Sequence, residues 1–299
     1  MKDVQTFQID TDLVPSPAQY DVLLPKSYGK SNMKYPLMLF LHGGGPKRHF
    51  HLKNTGPRIW EMWEKKIIPE MVVVTPLCKR CMYMDYRDGS EKWESFIIDE
   101  LLPHLQKEFD VASGLEKTFI GGISMGGMGS LRMGLKNLDK FAAILAFEPG
   151  IEPAFEWHEV NIRDKFYRPQ WLYEKIFGKP FDESYWNINN PAHIVRENAK
   201  TIRDSGIKIY IEAGTEDAFG LHRGADFIHR VLFDRNIPHE FRLVYGADHI
   251  GISFRERLVN GFSFIDRFIN PLEEPPNVKR LRELTSQMLE NAIRDKDNN

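Results

Sequence analysis

The chain has only two cysteines in 299 residues, Cys78 and Cys81, which excludes a disulfide-rich scaffold. It also lacks charge of one sign. Forty basic residues face 42 acidic ones, for a formal net charge of -2. Such balance creates no general attraction to nucleic-acid backbones or anionic membranes, so neither is an expected partner. No apolar run approaches the length that crosses a bilayer, and no secretory stretch opens the chain, since MKDVQTFQID is mixed and charged. These absences predict a cytoplasmic protein with no integral membrane segment. What is present is a 42% apolar share with 20 Phe, 10 Tyr and 6 Trp, too much for a disordered body.

The Cys-x-x-Cys spacing invites a redox or metal reading. A structural zinc site needs two further ligands, and no second cysteine pair exists. A thioredoxin-type pair opens a helix, whereas VVVTPLCKRCMY runs from a strand into a loop. Loop or partly buried cysteines are therefore expected, ahead of a reversible disulfide or a metal ligand.

Short runs of β-forming residues recur along the chain. TFQI and YDVLL come first, then the nearly unbroken apolar run Pro36 to Leu41 and the segment MVVVTP. Thr118 to Gly121, Ala142 to Phe147, Ile207 to Glu212 and Phe241 to Tyr245 follow. Continuous rather than alternating hydrophobicity marks strands buried on both faces. Helices are predicted between them: Pro57 to Lys66, Glu91 to Phe109 with Ser90 as its cap and Pro103 as a kink or early break, Ser124 to Leu138, and His222 to Arg235. This alternation predicts an α/β fold with a mostly parallel central sheet and helices on both faces.

Residues 149–191 break the rhythm. The stretch is rich in aromatics and too long for a bare loop, so small helices forming a cap-like insertion are expected there. Phe155, Trp157, Trp171 and Trp186 are candidate pocket walls, against the alternative that they form the insertion's own core. The body is expected over 1–270. Residues 277–299, set off by Pro275 and Pro276, should form a helix that packs along the body or across a second copy, as in a homodimer.

FIGGISMGGMGS carries the chemistry. Gly122-Ile123-Ser124-Met125-Gly126 is a G-x-S-x-G pattern placed after a predicted strand and before a predicted helix. Chance placement in this composition gives about 0.07 such matches, before the flanking elements are required. A sharp strand-to-helix turn lifts the serine hydroxyl above the sheet, and small residues two places to either side avoid collision. Met125 should offer its backbone N–H to a developing oxyanion, with a second donor from Gly43, Gly44 or Gly45 in the HGGG loop and His42 mainly structural. A phosphate cradle is the rival use of these glycines, but the Walker Lys-Ser/Thr is missing.

A serine hydroxyl needs a base. His249, in YGADHIG after the last strand, is the expected one among the chain's ten histidines. Asp217, in the loop after IYIEAG, is the expected acid that orients it, with Glu148, Glu216 and Asp248 as rivals. Glu148 is otherwise a pocket residue. The chain order Ser124, Asp217, His249 fits this fold. No metal and no cofactor are required.

Four segments together, LHGGG (41–45), GGISMGGMGS (121–130), GTEDAF (214–219) and ADHIG (247–251), resemble the α/β-hydrolase superfamily, and within it esterases similar to esterase D and the feruloyl esterases. The resemblance covers about Tyr20 to Asn270. It implies a serine carboxylesterase acting through an acyl-enzyme on a small-molecule ester, with aryl or short acyl esters as the expected class. Thioester hydrolysis of the S-formylglutathione hydrolase type, peptide hydrolysis, acyl transfer and a catalytically inert interaction protein are the alternatives.

Overall fold

All eight runs of β-forming residues enter a single sheet. In the computed structural model, which describes residues 4–30, 32–46 and 50–297, the strands are β1 (Gln5–Ile9), β2 (Ala18–Leu23), β3 (Leu37–Leu41), β4 (Val72–Pro76), β5 (Thr118–Ile123), β6 (Ala143–Phe147), β7 (Lys208–Gly214) and β8 (Glu240–Val244). Their spatial order is β1-β2-β4-β3-β5-β6-β7-β8. Pairing is antiparallel where β2 meets β1 and β4, and parallel everywhere else. The helices are α1 (His51–Glu64), α2 (Trp93–Ser95), α3 (Leu102–Glu108), α4 (Met125–Lys136), α5 (Gln170–Phe177), α6 (Glu183–Asn189), α7 (Pro191–Ser205), α8 (His222–Phe233), α9 (Phe254–Ile269) and α10 (Pro276–Asp297).

The central strands β3 to β6 are buried at every position because both faces are covered. Successive side chains point to opposite faces. Met38, Phe40, Leu145 and Phe147 meet α1 and α9 through Leu52, Ile59, Leu258 and Phe262. Leu37, Leu39, Ile144, Ile209 and Ile211 meet α3, α4, α7 and α8 through Leu105, Leu131, Val195 and Ile228. Register then aligns the strand ends: Leu41 pairs with Gly122, Phe147 with both Ile123 and Glu212, and Gly214 with Val244. Every loop that was expected to carry chemistry leaves from that one edge.

Two helix starts differ from expectation. α1 begins at His51 rather than Pro57, and Pro57 lies inside it. Burial of Leu52 and a 2.9 Å bond from the Thr55 hydroxyl to the His51 carbonyl hold the earlier turn. Ser90 caps nothing. Its hydroxyl and amide both go to the Asp88 carboxylate, and α2 starts from Lys92. Between α2 and α3 runs a π-helical segment, Phe96–Leu101, placing Pro103 in the first turn of α3 rather than at a break. The wider π turn accommodates a ring that cannot supply an N–H.

The 149–191 stretch holds α5, α6 and two 3-10 turns, Trp157–Glu159 and Ile162–Asp164. Its root is tied to the sheet edge. The Gly150 N–H donates to the Ser124 carbonyl at 3.1 Å. Buried Arg168 donates to the Gly150 carbonyl and pairs with Glu152, which also accepts from the Tyr173 hydroxyl at 2.8 Å.

α10 forms over most of the expected tail, with Asn298 and Asn299, like Met1 to Asp3 at the other end, outside the described residues. Of the two packings expected for it, the one along the body is not seen: every side chain from Pro276 to Arg294 is exposed. Among the described residues, no helix is long and apolar enough to cross a membrane.

Candidate active site

Ser124 sits between β5 and α4 with φ 59° and ψ -113°, a conformation that side chains rarely adopt. Its N–H donates to the Phe147 carbonyl at 2.8 Å, and its own carbonyl accepts from Met128 and Gly150. The turn tolerates nothing larger at its flanks. A Cβ on Gly122 would lie 2.5 Å from the Gly126 backbone, and one on Gly126 would overlap the Leu41 carbonyl. Met125 opens α4, so its N–H belongs to the first-turn donors that have no acceptor within the helix.

Across from this turn, the loop after β3 approaches closely. A Cβ on Gly43 would be 3.5 Å from the Ser124 Cβ, and one on Gly44 would be 3.4 Å from Arg80 and 3.6 Å from the Met125 sulfur. Gly45 faces open space. His42 is fully buried beneath. Its Nδ1 meets the Gly43 carbonyl at 2.8 Å, its Nε2 accepts from the Cys78 N–H at 3.2 Å, and its carbonyl accepts from the Tyr83 hydroxyl at 3.0 Å. Cys78 and Cys81 are free and buried. Burial, with Cys81 alongside, pushes the Cys78 thiol well up, so it stays neutral.

On the far side, Asp217 and His249 come together directly, with Asp217 Oδ2 2.5 Å from His249 Nδ1. The other carboxylate oxygen accepts the Phe219 N–H at 2.7 Å. Burial raises the pKa of such a group by disfavouring its charged form. The His249 bond and charge, with the Leu221 N–H, outweigh burial and hold Asp217 down at about 2. It is ionised at neutral pH.

The rival acids are engaged elsewhere. Glu216 is exposed, and Asp248 accepts from the Gly251 N–H and Ser253 hydroxyl of its own turn. Glu148 is fully buried behind Asp217, with Oε1 held by Arg257 and, at 2.8 Å, by the Gly214 N–H. Burial drives its carboxyl up to about 9; Arg257 opposes the rise and Asp217 adds to it.

Glu148, Asp217 and His249 each place one potential ligand atom within 4.8 Å of the others. As a metal set they fit poorly: His249 Nδ1 is already bonded to Asp217, and the Arg257 cation occupies Glu148.

A family model described as Putative esterase matches residues 14–265. The chain belongs to the Esterase family. An acetyl esterase of Caldicellulosiruptor saccharolyticus is 29% identical over 149 residues, 49% of this chain and 54% of the relative. An esterase of Mycobacterium tuberculosis (strain H37Rv) is 30% identical over 127 residues, 41% of this chain and 27% of the relative. The match thus spans about half or less of these curated relatives. Among solved structures, a ferulic acid esterase superposes with a TM-score of 0.72 at 22% identity, covering 89% of this chain and 98% of that one. An S-formylglutathione hydrolase from Agrobacterium tumefaciens gives 0.67 at 19% identity, covering 87% and 94%. The fold is that of the α/β-hydrolases.

The aromatic residues expected as pocket walls in this esterase-family chain lie elsewhere. Trp157 packs 4.4 Å from Phe181, 5.0 Å from Tyr173 and 5.4 Å from Trp186, centroid to centroid, making the insertion's own core. Phe155 meets Phe227 of α8, and Trp171 is exposed. Large aromatic area is most stabilising where it is buried together, which draws these rings inward.

The rings that do flank His249 are Phe219, edge-on at 5.0 Å, and Tyr167 behind it at 5.6 Å. Arg257 and Glu212 also escaped the sequence reading. Arg257 is a buried cation among Phe254, Leu258 and Phe262 on α9, and Glu212 a lone acid inside β7. A charge stranded in an apolar pattern was the available signal.

Proposed function

We propose that this chain is a serine hydrolase that cleaves carboxylic esters, with Ser124 as nucleophile, His249 as base and Asp217 as the acid that orients it. One observation carries the reading. A 2.5 Å Asp217–His249 pair leaves the same sheet edge on which Ser124 is held in a strained turn at the start of a helix. Strain of this kind persists only where surrounding structure enforces it, and it clusters at reactive sites.

In this mechanism the ester carbonyl lies between the Met125 N–H and the Gly43–Gly45 backbone. His249 takes the Ser124 proton as the hydroxyl attacks, and ionised Asp217 stabilises the resulting imidazolium. His249 then protonates the departing alcohol, and water releases the acid from the acyl-serine. Each oxyanion donor in such a site contributes about 3 kcal/mol, roughly a hundredfold in rate. Phe219 and Tyr167 supply a flat apolar wall beside the base, which supports aryl or short acyl esters as substrates. The names of the structural neighbours point the same way.

The test is covalent capture by a fluorophosphonate probe. Labelling should map to Ser124, vanish in S124A and fall strongly in H249A, in parallel with hydrolysis of p-nitrophenyl acetate. Undiminished ester hydrolysis by S124A would end this reading. Rates on hydroxycinnamoyl esters and on a thioester, measured beside the short-chain ester, assign the substrate class; a dominant thioester rate would replace the ester assignment.

A further inference from the structure

Behind the acid–base pair lies a buried knot of charge that the reaction as written leaves idle. Glu148 and Glu212 are both fully buried, and one guanidinium, that of Arg257, serves them both. Arg257 bonds Glu148 Oε1, stands 3.6 Å from Glu212, and donates from its remaining nitrogen to the carbonyls of Asp248 at 2.7 Å and His249 at 2.9 Å. Tyr210 donates to the other oxygen of Glu212. With Asp217 counted, three buried carboxyls face one fixed cation.

The oxygens of Glu148 are not equivalent. Oε1 receives Arg257 and the Gly214 N–H, whereas Oε2 is sealed from water with no hydrogen-bond donor. Asp217 brings a carboxylate oxygen within 4.8 Å of one on Glu148 and, being ionised, has no proton to give. Two carboxylates this close in a buried site do not both ionise. Glu148 also has a φ of 45°, in the left-handed region, so the chain bears backbone strain to put this side chain here.

We propose that Glu148 is a positioning residue: it keeps a proton on Oε2 and donates it to Asp217, so that Arg257 and Glu148 together hold the Asp217–His249 pair in register from behind. The inference rests on the triad reading above and adds a fourth group to it. No bond to substrate is made by Glu148. Its proton stays in place through the cycle while the charge on His249 comes and goes. Arg257 fixes the other end of the arrangement by gripping the backbone on which His249 is carried.

Holding this proton couples Glu148 to folding stability with a definite sign. Glu148 binds its proton in the folded chain up to about pH 9, whereas the unfolded chain releases it near 4.5. Stability therefore falls as pH rises through that window, because the unfolded state holds fewer protons. The groups facing Glu148 across this range are Asp217, His249, Glu212 and Arg257. Asp217, held at about 2, is ionised across this range and adds no slope of its own.

The experiment compares E148Q with E148A in the full-length chain. Glutamine reproduces the protonated acid, with an NH2 to donate to Asp217 and a carbonyl to accept from Arg257 and Gly214. E148Q should fold, retain kcat within about threefold, lose the fall in activity above pH 9 and show an unfolding midpoint that drops less steeply than wild type across pH 7 to 9. E148A should lower kcat by roughly 10- to 100-fold with KM little changed, as removal of a group that orients a histidine does. If E148Q is as impaired as E148A, or fails to fold, or keeps the wild-type pH slopes, the proposal is overturned. Were S124A instead to remain active, the triad reading would fail on its own, independently of how E148Q behaves.

Discussion

Ser124 and His249 leave the same edge of the sheet, yet backbone holds the first and buried charge holds the second. On the serine side, the turn is shaped by Gly122 and Gly126 packed against the Leu41 carbonyl, with the buried His42 and Cys78 side chains 3.3 Å apart beneath it. On the histidine side, four segments contribute side chains: Glu148 after β6, Glu212 in β7, Asp217 after β7 and Arg257 in α9. A backbone site fails when volume is added. A charged site fails when a proton or a charge is removed. The difference also explains why the serine side can be read from a local motif while the other side cannot.

The largest effect should come from the charged side without any change of shape. D217N keeps the size of the acid but forfeits the charge that steadies the imidazolium, and kcat should fall by about 10⁴, measured on p-nitrophenyl acetate. The same variant has a stability signature. Asp217 is held at about 2 against an ordinary 3.8, so it stabilises the fold above pH 4 and that contribution is lost as pH falls toward 2. Acid unfolding curves of D217N should lack this part of the slope. An equal loss of kcat in a variant that keeps the charge would erase the contrast drawn here.

On the serine side the opposite change should matter. G126A adds one carbon and no charge, yet that carbon would overlap the Leu41 carbonyl and come 2.9 Å from the His42 carbonyl. Relief requires moving β3 or α4, at about 3 kcal/mol, readable as a lowered urea midpoint with activity lost in proportion to the displaced turn. Unaltered stability in G126A would show the turn to be looser than its contacts imply. The smallest effect belongs to C78S. A serine hydroxyl can still meet His42 Nε2, so kcat should change by about threefold or less. A drop like that of D217N would mean that side-chain chemistry governs the serine side as well.

How much was legible follows from the same division. Each of the eight strands announced itself as a short β-forming run, most plainly β3 to β6, which are buried along their whole length and have no exposed face to obscure the pattern. Helix starts were less readable, since Leu52 and Thr55 extend α1 ahead of Pro57 through tertiary burial that no local signal reports. Ser124 came with its own glycines. Asp217 and His249, expected from chain order after their strands, lie 2.5 Å apart. Arg257, Glu212 and Phe219 were missed because nothing in their immediate sequence states that they converge; each joins the site through a different strand or helix. The insertion misled in a simpler way, its aromatic wealth serving its own interior.

The anchoring of Gly150 to the Ser124 carbonyl, with Arg168 and Glu152 locked beneath it, bears on how a molecule reaches the serine. A trapdoor hinged at that end would have to tear open the very turn it guards. The margin free of these bonds is the opposite one, around Phe166 and Tyr167, where Phe166 is exposed and Tyr167 touches Phe219. Traffic in this molecule should be sensitive to what is grafted at that lip and indifferent to the flexibility of the root.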